Sequence, residues 1–204
     1  MVLPTTYMGS VEWYRQFLAN PSAIQIEVME SFPKQTYRNR CTITQPVGDE
    51  AMRRLGERRE TGNSLPLREG QGVGILTLSV PVKRADSKQF TRDVEISYQQ
   101  RWQHQHWIAL MSAYKRTPYF DYYADFFRPF YEQETRFLVD FNEKIHEIIV
   151  RLMANQAKGD EAMRLLGKNR TTDWQGLDLE PCFGNGQSIL DLLFEYGPET
   201  IMKI

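Results

Sequence analysis

Apolar residues recur along this chain with two different periods, and the change between them falls near residue 98. In the N-terminal half the alternation is strand-like. Ile24, Ile26 and Val28 alternate with Gln25 and Glu27, and Leu76, Leu78, Val80 and Val82 share one face of "GILTLSVPV". A period of two marks a half-buried strand. The shorter stretches "VLPTTY" and "TRDVEIS", the second carrying Val94 and Ile96, read as strands as well. A helix is predicted between the first two strands. Ser10 is a suitable N-cap, Glu12 suits the positive first turn, and Trp13, Tyr14, Phe17 and Leu18 form the apolar stripe before "NPS" stops it. Strand, helix and strand in about 30 residues resemble a βαβ unit with a right-handed crossover.

Beyond residue 98 the period becomes helical. Trp102, His106, Leu110 and Tyr114 are spaced by four, and Pro118 ends that helix. "PYFDYYADFF" is a dense aromatic segment. Tyr131 to Asn155 reads as one long amphipathic helix with Phe137, Leu138, Phe141, Ile145, Ile148, Ile149 and Leu152 on its buried stripe. Near the end, Ser188 caps a last helix with Asp191 three residues on, and Gly197 and Pro198 stop it. The expected class is α/β or α+β: a mixed β-sheet from the N-terminal half covered by helices from the C-terminal half.

One segment appears twice. "GDEAMRRLGERR" begins at Gly48 and "GDEAMRLLGKNR" at Gly159, and nine of the twelve positions match. True repeat folds show more copies. The two copies read either as related insertions into surface loops or as a functional pair of arms. The domain expected is therefore a single one over 1–204, with charged insertions near 47–72 and 156–183.

Composition narrows the function classes. The 204 residues carry a net charge of −1, so nucleic-acid binding through a general basic surface is not expected. No apolar run approaches the length of a transmembrane segment, and the first residues lack a secretory pattern. Cys41 and Cys182 belong to no CxxC pair, which suits a reduced, cytoplasmic setting with two buried or half-buried thiols. His104, His106 and His146 show no metal-ligand spacing, so no metal is predicted. His104 and His106 are about 200° apart round a helix and cannot share a face. No cofactor motif identifies a cofactor, and the sequence does not set the oligomeric state.

Candidate chemistry starts at "KQTYRNRC". In an extended segment Lys34, Arg38 and Arg40 share one face, and Tyr37, Asn39, Cys41 and Ile43 the other. Arg38 and Arg40 would stand roughly 7 Å apart. Two readings stay open: an anion site for a phosphate or carboxylate, or a solvated face whose arginines pair with acids such as Glu27. Asn39, facing inward, is expected to tie down backbone in the core. His106 is either a core histidine stacked between aromatics or a proton-transfer group. Tyr119, Tyr122, Tyr123, Asp121 and Asp125 suit stacking on a sugar or base, and equally suit core packing.

Taken in order, "LPTTY", "KQTYRNR", "VPV", "W...HW..L.SAY...PYFDYYAD" and "SILDLLFEYGPE" resemble the WbqC-like protein family. The resemblance covers 1–46, about 72–155 and 184–204. "MGS" follows the first tyrosine where that family usually continues with a Leu-Pro-Pro-like stretch. The resemblance implies a link to gene clusters for bacterial surface polysaccharide (O-antigen) synthesis. It marks Pro4, Tyr7, Tyr37, Arg38, Asn39, Arg40, Trp102, His106, Trp107, Tyr114, Pro118, Ser188, Asp191, Gly197 and Pro198. The function it implies is an enzyme of polysaccharide precursor synthesis, a transferase acting on a nucleotide-linked amino sugar. His106 would be the catalytic residue. Lys34, Arg38 and Arg40 would hold phosphate or carboxylate, and Tyr7 and Tyr114 would line the pocket. The alternative is a non-catalytic anion- or sugar-binding or assembly protein of the same pathway.

Overall fold

The strand-like half opens with a βαβ unit. The computed structural model describes residues 2–19, 24–33, 36–46, 73–83, 89–153, 170 and 187–204. Strand β1 (Val2–Pro4) and strand β2 (Gln25–Glu27) pair in parallel, with Leu3 opposite Ile26. Helix α1 (Val11–Ala19) connects them, burying Trp13, Tyr14 and Phe17 as the stripe predicts. Strands β3 (Arg40–Pro46) and β4 (Val73–Ser79) form an antiparallel ladder with Cys41 opposite Leu78. Among the described residues the strands make two separate two-stranded ladders. A backbone hydrogen bond from Tyr7 N to Tyr37 O, 3.2 Å, ties the β1 loop to the turn ahead of β3.

The helical half supplies α2 (Trp102–Tyr114), α3 (Phe120–Glu132), α4 (Leu138–Met153) and α5 (Ile189–Tyr196). α2 packs on α3 and β3, α4 on α3 and α5, and α5 on β3. The class is α+β. The aromatic segment 119–127 is part of a helix that buries Phe120, Phe127 and Tyr131. Tyr122 on its outer face is 74% exposed.

Two predicted elements change. The single helix over 131–155 is broken, because α3 ends at Glu132 and α4 starts at Leu138. The break pairs with residues 94–98 instead of continuing the helix. Arg136 O accepts from Ile96 N and Val94 O accepts from Leu138 N, both at 2.9 Å. Tyr98 Oη meanwhile donates to Thr135 O at 2.9 Å and accepts from Thr135 N at 2.8 Å. The strand expected in "TRDVEIS" is a 3-10 turn over Thr91–Asp93, followed by the isolated bridges Val82–Ile96 and Glu95–Phe137.

The two ends of the fold close on each other. Ser10 caps α1 through its hydroxyl, which accepts from Trp13 N at 3.3 Å. Ser188 caps α5 the same way, accepting from Leu190 N at 3.3 Å. The next amide of each helix goes to the other: Val11 N donates to Gln187 O at 2.9 Å and Ile189 N to Gly9 O at 3.1 Å. These contacts satisfy donors that helix starts otherwise leave open. Of the repeated charged segments only Arg170 lies within the described residues, where it pairs with Asp140 and Glu143 on α4.

Candidate functional site

The sequence places Arg38 and Arg40 on one strand face, and the structure separates them. Arg38 lies in a turn, since β3 begins only at Arg40. Its guanidinium forks onto Glu30: Nε donates to Oε1 and Nη2 to Oε2 at 2.6 Å. Nη1 donates to Thr36 Oγ1 at 2.7 Å, and the Tyr37 ring lies 4.9 Å from the guanidinium carbon. Arg38 is 5% exposed. Burial raises the Glu30 pKa, although Arg38 pulls it down. The expectation of an outward row of cations is corrected here: Arg38 closes an internal ion pair, with Glu30 rather than Glu27. Lys34 lies outside the described residues.

Arg40 is the cation left over. It is half-buried, and its Nε is buried without a hydrogen-bond partner among the described residues. It lines a small pocket with Tyr7, Ser10, Tyr37, Thr42 and Ser188, at the carboxyl end of β1. The pocket is open to one side and its volume is about 10 Å³, room for a single oxygen-sized group. The loop beneath it is tightly wound. Met8 takes φ of 49°, and a Cβ added to Gly9 would meet the Thr6 methyl at 2.9 Å.

Tyr7 belongs to this pocket and reaches beyond it. Its hydroxyl lies 2.9 Å from His106 Nδ1 and 3.0 Å from the Tyr131 hydroxyl. Burial lowers the His106 pKa to about 4, partly offset by a hydrogen bond to the backbone of Ser79. A second histidine lies nearby. His146 Nε2 donates to Thr6 O at 2.7 Å, so Nδ1 of the neutral ring accepts and Tyr14 donates to it. Burial lowers this pKa to about 4 as well, and Trp13 stacks on the ring at 4.5 Å. Burial likewise raises Tyr7, Tyr14 and Tyr131 above the usual phenol range.

His106 is 5% exposed and packs edge-on to Trp102 at 5.1 Å. It also lies at the bottom of a cleft of about 360 Å³ between β4 and α2. Tyr7 thus has its loop at the Arg40 pocket and its hydroxyl on the histidine of the cleft.

Tyr114 goes elsewhere. Its hydroxyl donates to Asp191 Oδ1 at 2.7 Å, which also accepts from Thr44 Oγ1 at 2.7 Å. Asp191 Oδ2 is buried without a partner among the described residues. Burial raises the Asp191 pKa, and the hydrogen bonds from Tyr114 and Thr44 oppose it. Tyr114 does not line the Arg40 pocket. Asn39 does what its inward position predicts, donating to Val80 O at 2.9 Å.

Of the predicted residues, then, Tyr7 lines the Arg40 pocket and reaches His106 with its hydroxyl, while Arg38 and Tyr114 are held by internal acids. Tyr131, Glu30, and the Tyr14–His146 pair escape sequence reasoning. The hydroxyl contacts join residues 99, 124 and 132 positions apart, which no local period marks. Cys41, buried beside Met8, has its thiol pKa raised by desolvation and by Asp191.

A family model described as the WbqC-like protein family matches residues 63–177, more than half of the 204-residue chain, and the chain belongs to that family. The matched span holds Trp102, His106 and Tyr114, and leaves Tyr7, Arg38, Arg40 and Asp191 outside it. No curated protein and no solved structure matches the chain. Among the described residues no helix is long and apolar enough to cross a membrane.

Proposed function

We propose that this chain is one WbqC-like domain that works in the cytoplasm on surface polysaccharide precursors, where it binds a small molecule through a phosphate or carboxylate. The observation that carries this reading is Arg40. A guanidinium nitrogen held away from water without a partner is costly, and an anion is the group that would satisfy it. The pocket floor accommodates one oxygen of such a group, with the Tyr7 loop, Ser10 and Ser188 around it. Ligand sites of α/β units favour this end of a strand, and that analogy adds weak support.

A transferase acting on a nucleotide-linked amino sugar is the second reading. The cleft that reaches His106 favours it only as a place for the sugar ring, since its lining offers no cation for the phosphates. Against a proton-transfer role stand the burial that lowers its pKa to about 4 and the Tyr7 hydroxyl held on Nδ1.

Thermal unfolding of wild type, Arg40→Ala and His106→Gln, with inorganic phosphate, pyrophosphate, citrate and nucleotide-sugars, tests the proposal. Binding to the folded state raises Tm. A rise in wild type that disappears in Arg40→Ala supports it. No rise with any anion, or an equal rise in Arg40→Ala, overturns it. Turnover of a nucleotide-sugar that His106→Gln abolishes would favour the transferase.

A further inference from the structure

We infer that the cleft between β4 and α2 binds the ring of an uncharged sugar. The cleft is distinct from the Arg40 pocket, and the inference stands apart from the anion reading. Its bottom is formed by buried side chains: Leu78, Trp102, His106 and Ala109. Its rim carries four exposed hydrogen-bonding residues, Thr77, Ser79, Gln100 and Gln105. The side chains of those four have no partner among the described residues, so their donors and acceptors are open to a ligand.

The lining contains no carboxylate, lysine or arginine. His106 does not supply charge either, because burial keeps its ring neutral at physiological pH. A phosphate or carboxylate would therefore lose its hydration here with no countercharge, at a steep cost. A purely apolar guest would waste the amide and hydroxyl rim. A pyranose matches both parts. Its C–H face suits an aromatic and aliphatic floor, and its hydroxyls, spread round the ring, meet amides and hydroxyls that both give and take hydrogen bonds. A volume of about 360 Å³ lies at the small end of the range for ligand sites, suited to one ring rather than a chain of them.

Saturation-transfer NMR tests this with methyl β-glucopyranoside and N-acetylglucosamine, and with cyclohexanol as an apolar ring of similar size. The variant is Gln100→Ala/Gln105→Ala, whose side chains are exposed and unpartnered, so its fold is kept. Wild type is expected to transfer saturation to the sugars, and the variant to bind them about tenfold more weakly, from the loss of two hydrogen-bonding groups. No transfer to either sugar in wild type, equal binding by the variant, or binding of cyclohexanol alone would each overturn the inference. Phosphate-induced thermal shifts of the same two proteins run in parallel. No sugar binding by wild type that still shows the phosphate shift condemns this cleft only, and sugar binding by wild type with no phosphate shift condemns the Arg40 reading only.

Discussion

The Tyr7 hydroxyl and His106 Nδ1 share a hydrogen bond of 2.9 Å, although 99 residues separate them in the chain. One short hydrogen bond thereby joins the first loop of the βαβ unit to the second turn of α2. It also holds in place a ring that burial keeps neutral.

Tyr7→Phe keeps the ring and removes the bond. It strands His106 Nδ1 in the interior and leaves the Tyr131 hydroxyl only the weak Met8 Sδ acceptor at 3.9 Å. Urea denaturation should show a loss of about 1–3 kcal/mol, the penalty for buried polar groups without partners. A loss within 0.3 kcal/mol, on the order of measurement scatter for additive effects, would mean water replaces the hydroxyl.

Arg38 and Arg40 should separate cleanly on mutation. Arg38→Ala leaves Glu30 buried and uncompensated, and should cost about 3–5 kcal/mol. Adding Glu30→Gln should recover part of that loss, which a double-mutant cycle measures. Arg40→Ala breaks no ion pair among the described residues and should leave urea stability within about 1 kcal/mol of wild type. Equal losses in the two single variants would contradict the different environments found for them.

Stability should fall on the acid side because of two histidines. His106 and His146 have folded pKa values of about 4, against an ordinary value of 6.5. Between those values the unfolded chain binds protons that the folded chain refuses. Their contribution is therefore full above pH 6.5 and is lost as pH falls toward 4. Glu30 and Asp191, with raised pKa values, act in the opposite sense in the same window. The difference between wild type and His146→Gln isolates the histidine. Stability of the variant, measured from pH 7 to 4.5, should decline less steeply, and parallel curves would refute the assignment.

Gly197 should tolerate no side chain. It ends α5 with φ of 55°, and an added Cβ would lie 2.4 Å from the Tyr119 ring. Gly197→Ala combines backbone strain with overpacking and should cost about 2–4 kcal/mol. Tyr119→Ala in the same background should relieve the overpacking part only. No relief would place the whole cost in the backbone.

Periodicity makes the scaffold legible and leaves the site mostly hidden. The stripes of α1 and α2 and the caps at Ser10 and Ser188 are local, and they come out as read. α4 is wider than its stripe, burying Asn142, His146 and Val150 too, because the βαβ unit packs across it. Asn142 binds Arg38 O at 2.8 Å and Thr5 Oγ1 at 3.2 Å, contacts that one helix's period does not encode. The cation row at Lys34, Arg38 and Arg40 misleads for a related reason. Alternation assumes an extended chain, and Glu30, only eight residues upstream of Arg38, bends the segment into a turn instead. His106 stands out in the sequence, while its hydroxyl partner is fixed only once the whole chain is folded.

The exchange of amides between α1 and α5 bears on how this protein is made. Ser188 Oγ donates to Met8 O at 3.3 Å across a separation of 180 residues. Val11, at the head of the first helix, finds its acceptor only at Gln187. During synthesis helix α1 therefore leaves the ribosome with its entrance open and waits until Gln187 has been made. Contacts this distant in sequence slow folding, because a long loop must close before it is rewarded. The Arg40 pocket, with Ser10 on one wall and Ser188 on another, is built by that closure, so a nascent chain that stops short of Ser188 carries Arg40 and no complete pocket for it.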